Sequence, residues 1–325
     1  MKLDLILPNS HDLYSENLEQ IPSLFRDTDA RGIYRFIEFF TANIQNPNTR
    51  RAYFEATKQF SEWCGVYSLK LNQVNSVIVA KYIEELTQKL SAPSVKQHLA
   101  AIRMLCDFLV TGHVIPINPA HAVRGPKHIV SKGKTPILTA EETKVLINSI
   151  NTEKLAGLRD RALIAVMVYS FARVGAVAKM NVADYFPKGK RWYFRLHEKG
   201  GKYHEMPAHH KAEEYLDAYI SAAQITNMGK TPLFRTLDRS REITNNRITQ
   251  PDVFRMIRRR AKHAGIEGSI GCHTFRGTGI TIYLENGGSL EMAQQMAAHS
   301  SPRTTKLYDR TRDEVSLDEI ERIML

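Results

Sequence analysis

The sequence predicts a mainly α protein of two domains: an all-helical N-terminal bundle, then a larger helical domain of α+β type with a small antiparallel sheet. Three observations predict it. At 325 residues the chain exceeds the usual size of a single core. Residues 29–112 keep a helical apolar period throughout. Two β-prone runs parted by glycines interrupt an otherwise helical second half.

The elements follow in order. "RGIYRFIEFFTANIQ" opens the bundle, and "NTRRAYFEATKQFSEWC" sets Tyr53, Ala56, Phe60 and Trp63 at spacings of three and four, which places them on one helix face. "NSVIVAKYIEELTQKL" and "SAPSVKQHLAAIRMLCDFLV" repeat the pattern, the second with Pro93 in its first turn, where a missing N–H costs nothing. From Gly112 to Pro136 the period is lost among four prolines, three glycines and three lysines, which reads as a basic linker. Thr139 with Glu142 then has the form of a capping box. "GLRDRALIAVMVYSFARVGAVAKMNVADY" reads as a long buried helix, a break at Phe171–Arg173 and a short second helix. "RWYFRLHEK", the turn "KGGK" and "YHEMPA" read as a hairpin. Four more helical stretches complete the chain: "HHKAEEYLDAYISAAQ", "TQPDVFRMIRRRAKHAG", "HTFRGTGITIYLENG" and "LEMAQQMAAHS". The expected boundaries are residues 1–114 for the bundle, 115–136 for the linker and 137–325 for the second domain.

With 43% hydrophobic and 24% charged residues, disordered and fibrous classes are excluded. The net charge of +11 is unevenly spread, +2 over residues 1–130 and +9 over the remainder, so the polyanion-binding character belongs to the second domain. Cys64, Cys106 and Cys272 are too few and too scattered for a disulfide framework and read as reduced thiols of a cytoplasmic protein. No run of about 18 apolar residues or signal segment appears, so no membrane partner is expected.

Several charged or polar residues interrupt elements that prefer apolar ones. Arg173 falls at the helix break, Lys199 at the hairpin, His273 and Arg276 at a helix start, and His299 and Tyr308 near the end. Each alone has an ordinary explanation: a half-buried aromatic for Tyr308, a helix-terminal charge for Arg173, a capping histidine for His273, a solvated hairpin lysine for Lys199. Together they suit attack of a tyrosine hydroxyl on a phosphodiester. Two arginines hold the non-bridging oxygens. Tyrosine, with an ordinary pKa of about 10, needs cations and a base beside it, and lysine or histidine can protonate the departing sugar oxygen. Such chemistry needs neither metal nor cofactor. His209 and His210 are adjacent and lack partners at ligand spacing, so no metal site is expected.

At "YSFARVGAVAKM", "HEKGGKYHEMP", "CHTFRGTGIT" and "AAHSSPRTTKLYDR" the chain resembles the tyrosine recombinases, the phage-integrase, Xer-type and Cre-type enzymes. The resemblance covers residues 139–310, and the N-terminal bundle is similar in length and type to the family's SAM-like core-binding domain. It implies a site-specific DNA recombinase in which Tyr308 forms a 3′-phosphotyrosyl bond, Arg173 and Arg276 clamp the phosphate, and Lys199 is the general acid, with Lys202 as an alternative. It implies His273 as the acid/base partner of the tyrosine and His299 as a donor to the phosphate. Strand exchange through a Holliday junction by a homotetramer on two specific duplex sites, a C-shaped clamp around DNA and an apolar C-terminal helix docking on a neighbouring protomer are implied too. So is a mobile-element enzyme of the nucleoid-associated cytoplasm. A type IB-like topoisomerase and a non-catalytic DNA-binding protein of the same fold stand as alternatives.

Two positions depart from the family pattern. Ala176 stands where an acid usually follows the first arginine, for which Asp184 is a possible substitute, and Ala297-Ala298 replaces Leu-Gly before His299. For phosphate contacts that give affinity without sequence reading, the candidates are Arg258, Arg259, Arg260 and Lys262 in the second domain and Arg50, Arg51, Lys96, Gln97 and Arg103 in the bundle.

Overall fold

A computed structural model describes residues 21–128, 133, 135–198, 201, 203–240, 242–309, 320, 321 and 323. The chain divides into two units, Met1–Ile129 and Val130–Leu325, each with its own core.

The first unit holds helices α1 (Ser23–Arg26), α2 (Ala30–Glu38), α3 (Pro47–Val66), α4 (Ser76–Lys89) and α5 (Ala92–Thr111), with a π-helical turn at Phe39–Asn43. Side-chain oxygens of Asp29, Asn46 and Asn75 take first-turn N–H groups and so fix the starts of α2, α3 and α4. The apolar faces meet in an aromatic-rich core in which Phe36, Phe39, Phe40 and Phe60 pack with Leu99, Ile102, Leu105 and Leu109. Ala56 and Phe60 are buried as the period predicts, and Tyr53 and Trp63 pack at the margin. The Trp63 indole N–H donates to Glu85 Oε2 at 2.8 Å, matching the one polar atom of that ring.

The non-periodic stretch after α5 differs from the expected linker. Ile115, Ala120 and Val123 are buried in the core of this unit. Arg103 on α5 donates through Nε to the Ala120 carbonyl at 2.9 Å and through its terminal nitrogen to the Val123 carbonyl. Residues 115–128 therefore belong to the bundle, because three spaced apolar side chains and one arginine suffice to fasten a segment without any helical period.

The second unit begins with α6 (Ala140–Asn148), whose capping box forms as predicted: Glu142 N–H donates to Thr139 Oγ1 at 3.1 Å and Thr139 N–H to Glu142 Oε2 at 2.8 Å. Helix α7 (Leu155–Ser170), with an unbroken apolar run from Ala162 to Val168 and a buried Arg159–Asp160 pair near its start, is the central, buried helix. It packs against α9 (His210–Ala222) and α11 (Cys272–Glu285). Between α7 and the short α8 (Val174–Lys179) lies the predicted break, where Phe171 ends α7 in the left-handed region with φ 53°. The hairpin forms and gains a strand: β1 (Tyr185–Lys188), β2 (Arg191–His197) and β3 (Tyr203–Pro207) make one antiparallel sheet in that order. A second, two-stranded sheet of β4 (Arg235–Leu237) and β5 (Ile243–Arg247) was not legible in the sequence. Helices α10 (Gln250–His263), α12 (Leu290–Met296) and α13 (Pro302–Lys306) complete the unit. No helix among the described residues is long and apolar enough to cross a membrane.

Candidate active site

Helix α11 is the backbone of the site. It starts at Cys272 and carries His273, Arg276, Gly277 and Thr281. His273, Gly277 and Thr281 recur at steps of four, so they form one stripe along the helix. Tyr308 lies on that stripe. Its hydroxyl is 2.6 Å from His273 Nε2, its backbone carbonyl accepts from Thr281 Oγ1 at 2.9 Å, and its ring edge fills the notch at Gly277. A Cβ added at Gly277 would stand 3.1 Å from Tyr308 Cε1, so the absent side chain makes room for the ring. Tyr308 is 5% exposed. Burial pushes its phenol above the ordinary value, while the Arg276 guanidinium, a hydrogen bond with Thr135 and the Arg173 guanidinium pull the other way. Much of His273 is exposed, but its Nε2 end meets the buried phenol. Desolvation first, then Arg276 and Arg173, hold its imidazole below the ordinary histidine value, so it is neutral at neutral pH and able to take the tyrosine proton.

Arg276 is 1% exposed, and its guanidinium is tied down by main-chain oxygens. One terminal nitrogen donates to the Phe171 carbonyl and the other to the Ala297 carbonyl. The left-handed turn at Phe171 gives that carbonyl its direction, which links the helix break to the site. The Arg276 Nε–H is buried with no acceptor among the described residues. A buried donor left unmatched costs about 1–3 kcal/mol, so this one calls for an acceptor from outside the chain. Burial, then the neighbouring Arg173, push the Arg276 pKa down to about 10, with Glu198 and Tyr308 opposing, and it remains a cation at neutral pH.

The first arginine, at the N-terminal cap of α8, is joined to the second by Glu198. Glu198 Oε2 accepts from the Arg173 guanidinium at 2.7 Å, and its other oxygen accepts from the Arg173 backbone N–H at 3.0 Å and lies 3.8 Å from Arg276. Sequence reasoning missed this residue and pointed to Asp184 in its place. Asp184 instead takes the Asn181 N–H at 2.8 Å inside a local capping box. His299 completes the group: 7% exposed, it shares a 2.9 Å hydrogen bond between Nδ1 and Thr305 Oγ1 of α13, and its ring lies parallel to that of Tyr308 at 6.2 Å. Ala298, just before it, adopts φ 48°, a left-handed value that glycine tolerates better than alanine.

Five of the six expected catalytic residues are thus brought together: Arg173, His273, Arg276, His299 and Tyr308. The sixth, Lys199, and its alternative Lys202 lie outside the described residues, as do residues 310–319, 322, 324 and 325 of the apolar tail. The glycines were a missed signal. Gly277 and Gly279 sit inside a helix, where each costs about 1 kcal/mol relative to alanine, so a close approach is the natural reason to keep them. Gly277 receives the tyrosine ring, and a Cβ at Gly279 would lie 2.1 Å from the Val168 carbonyl of α7.

The expected phosphate-contact residues divide into two groups. Arg50 donates to the Ile44 carbonyl, Arg103 to the carbonyls of the 115–128 segment, and Arg260 to Asp160 at 2.8 and 3.0 Å. These three hold the protein's own groups. Arg51, Lys96, Gln97, Arg258, Arg259 and Lys262 are exposed, although Arg259 also lies 3.7 Å from Asp160.

Residues 136–314, more than half of the chain, match the model of the phage integrase family, and residues 33–113 match that of the phage integrase N-terminal SAM-like domain. A relative described as tyrosine recombinase XerC, from Thermodesulfovibrio yellowstonii, is 28% identical over 265 residues, covering 80% of this chain and 85% of its own. Among solved structures, XerH recombinase bound to a palindromic difH substrate superposes with a TM-score of 0.66 at 16% identity, covering 96% of this chain and 94% of its own. A lambda integrase tetramer bound to a Holliday junction gives 0.66 at 18% identity, with 87% and 79% covered.

Proposed function

The chain belongs to the phage integrase family, and from that premise we propose that it is a site-specific DNA recombinase that cuts and rejoins strands through Tyr308. The observation that carries the reading is the Tyr308 hydroxyl on His273 Nε2, beside an arginine pair whose Arg276 Nε–H is buried and unmatched among the described residues. A non-bridging phosphate oxygen supplies the missing acceptor, and Arg173 with Arg276 offsets the charge that builds on the phosphorus oxygens. His273 takes the tyrosine proton as the phenolic oxygen attacks phosphorus. The bond from phosphorus to the 5′ oxygen breaks, and that oxygen takes a proton from Lys199. The 3′-phosphotyrosyl link then conserves the energy of the cut bond, and attack by a 5′ hydroxyl of the partner strand reverses the chemistry into a Holliday junction. His299, fixed by Thr305, donates to the phosphate.

In this reading the bundle, together with residues 115–128 packed on it, is the core-binding domain, supported by the SAM-like match over residues 33–113, and residues 137–325 are the catalytic domain with a protomer-docking tail. Arg51, Lys96, Gln97, Arg258, Arg259 and Lys262 are the phosphate contacts. The working unit is a homotetramer on two duplex sites, in line with the lambda integrase tetramer on a Holliday junction, and we infer that the enzyme serves a mobile element in the nucleoid-associated cytoplasm.

A nicked suicide duplex carrying the target site tests the proposal. The wild type is expected to accumulate a covalent protein–DNA adduct, and Tyr308→Phe to bind the same duplex without forming one. An adduct from Tyr308→Phe, or none from the wild type on its site, overturns the assignment. Relaxation of supercoiled DNA that bears no target would instead make the enzyme a topoisomerase.

A further inference from the structure

We propose that Glu198 is the positioning residue of the arginine pair, supplying from the end of β2 the carboxylate that α8 lacks at residue 176. Arg173 is the N-terminal cap of α8, and Ala176 is its third residue. An acid at that third position normally reaches back to take the cap residue's own N–H. Ala176 has no carboxylate to offer and is 4% exposed. The Arg173 N–H goes instead to Glu198 Oε1, while Oε2 holds the Arg173 guanidinium and Oε1 faces Arg276 at 3.8 Å. One carboxylate, itself 5% exposed, therefore does three things: it closes the α8 cap, orients one arginine and screens it from the other.

The charges explain why such a group is needed. Two guanidinium ions converging on one phosphate repel each other before the phosphate arrives, and a buried cation without a counter-charge is strongly disfavoured. Glu198 offsets that repulsion in the empty site, so the arginines stand in place before DNA binds. It touches no reacting atom. Glu198 also precedes Lys199 directly in the chain, so an effect on the arginines must be told apart from one on the proton donor.

The inference rests on the recombinase reading, and a wild-type control that forms the covalent adduct separates failure of one from failure of the other. Glu198→Gln keeps the size of the side chain and an amide oxygen for the Arg173 N–H but removes the charge. Single-turnover adduct formation is measured on a suicide duplex with the natural 5′ oxygen and on one with sulfur there, a leaving group that needs no proton. Glu198→Gln is expected to slow adduct formation about 100-fold on both duplexes, because a better leaving group does not return misplaced arginines to the phosphate. Lys199→Ala is expected to recover on the sulfur duplex. Adding Ala176→Glu to Glu198→Gln is expected to restore about tenfold of the loss, since the acid then reaches the Arg173 N–H from α8 itself. Should the buried position refuse glutamate, seen as loss of the thermal transition, Glu198→Asp on its own is expected to fall between wild type and Glu198→Gln. A Glu198→Gln rate within about threefold of wild type, or its full recovery on the sulfur duplex, overturns the proposal.

Discussion

The Tyr308 hydroxyl and His273 Nε2 stand 2.6 Å apart, a short hydrogen bond between a buried phenol and an imidazole held neutral by its surroundings. The phenol is pushed up and the imidazole pushed down, so at neutral pH the proton rests on the tyrosine and the histidine is free to receive it. The sign of the pH dependence follows. Protonating His273 removes the base, and because its pKa lies below the ordinary value of about 6.5, the cleavage rate is expected to stay level through neutrality and fall only in more acid solution. Single-turnover adduct formation from pH 5 to 8 checks this, and His273→Ala should be slower and lose the acid limb. A rate that falls as pH drops from 8 to 7 contradicts the assignment.

Gly277→Ala should act on the nucleophile itself. The new methyl would sit 3.1 Å from Tyr308 Cε1, tighter than ordinary contact, and the ring must move by a few tenths of an ångström. The expected result is a roughly tenfold slower cleavage step with a modest loss of stability, about 1 kcal/mol, since the disturbance is confined to one ring. Gly279→Ala is the contrast, because the Val168 carbonyl would lie 2.1 Å away and backbone must shift. That change should cost about 3 kcal/mol or more and lower the thermal midpoint before any kinetic effect is read.

Ala298→Gly should stabilise the protein. Alanine at φ 48° carries left-handed strain of about 1–2 kcal/mol, part of which is returned by the greater freedom of glycine in the unfolded chain. The net gain expected is about 0.5–1 kcal/mol, read as a rise of roughly 1–4 °C in Tm. A fall in Tm would show that the turn before His299 holds alanine without strain.

Asp160 is wholly buried and takes Arg159 on one oxygen and Arg260 on the other, tying α7 to α10. Asp160→Asn removes the counter-charge and leaves cations behind. Breaking a buried pair in this way costs about 3–5 kcal/mol, to be read by denaturant unfolding of the full chain. A loss under about 1 kcal/mol would mean that water already shares those guanidinium groups.

The proposed catalytic set could be picked out in the sequence because its members are charged or polar at places where helix and strand patterns ask for apolar residues, and their order along the chain is distinctive. Glu198 could not be, because its partner Arg173 lies 25 residues away and only the fold joins them. Asp184 was the nearer acid in sequence, and the helical cap at Asn181 claims it. Sheet β4–β5 escaped for another reason: β4 has three residues, and "ITNNR" places polar side chains on both faces, which leaves no alternation to detect. The buried helix α7, the break at Phe171 and the Thr139 capping box all appear where the residues set them, since each is decided within a few positions of the chain.

The seat of Tyr308 on α11 also decides ownership. The ring rests in the Gly277 notch of its own chain, its carbonyl is held by Thr281 of the same helix, and its hydroxyl meets His273 of that helix. In the proposed mechanism, a nucleophile held at three points by its own subunit attacks the phosphate that subunit clamps, rather than one held next door. Mixing Tyr308→Phe chains with Arg276→Ala chains should therefore restore no cleavage, since neither chain can lend the other what it lacks.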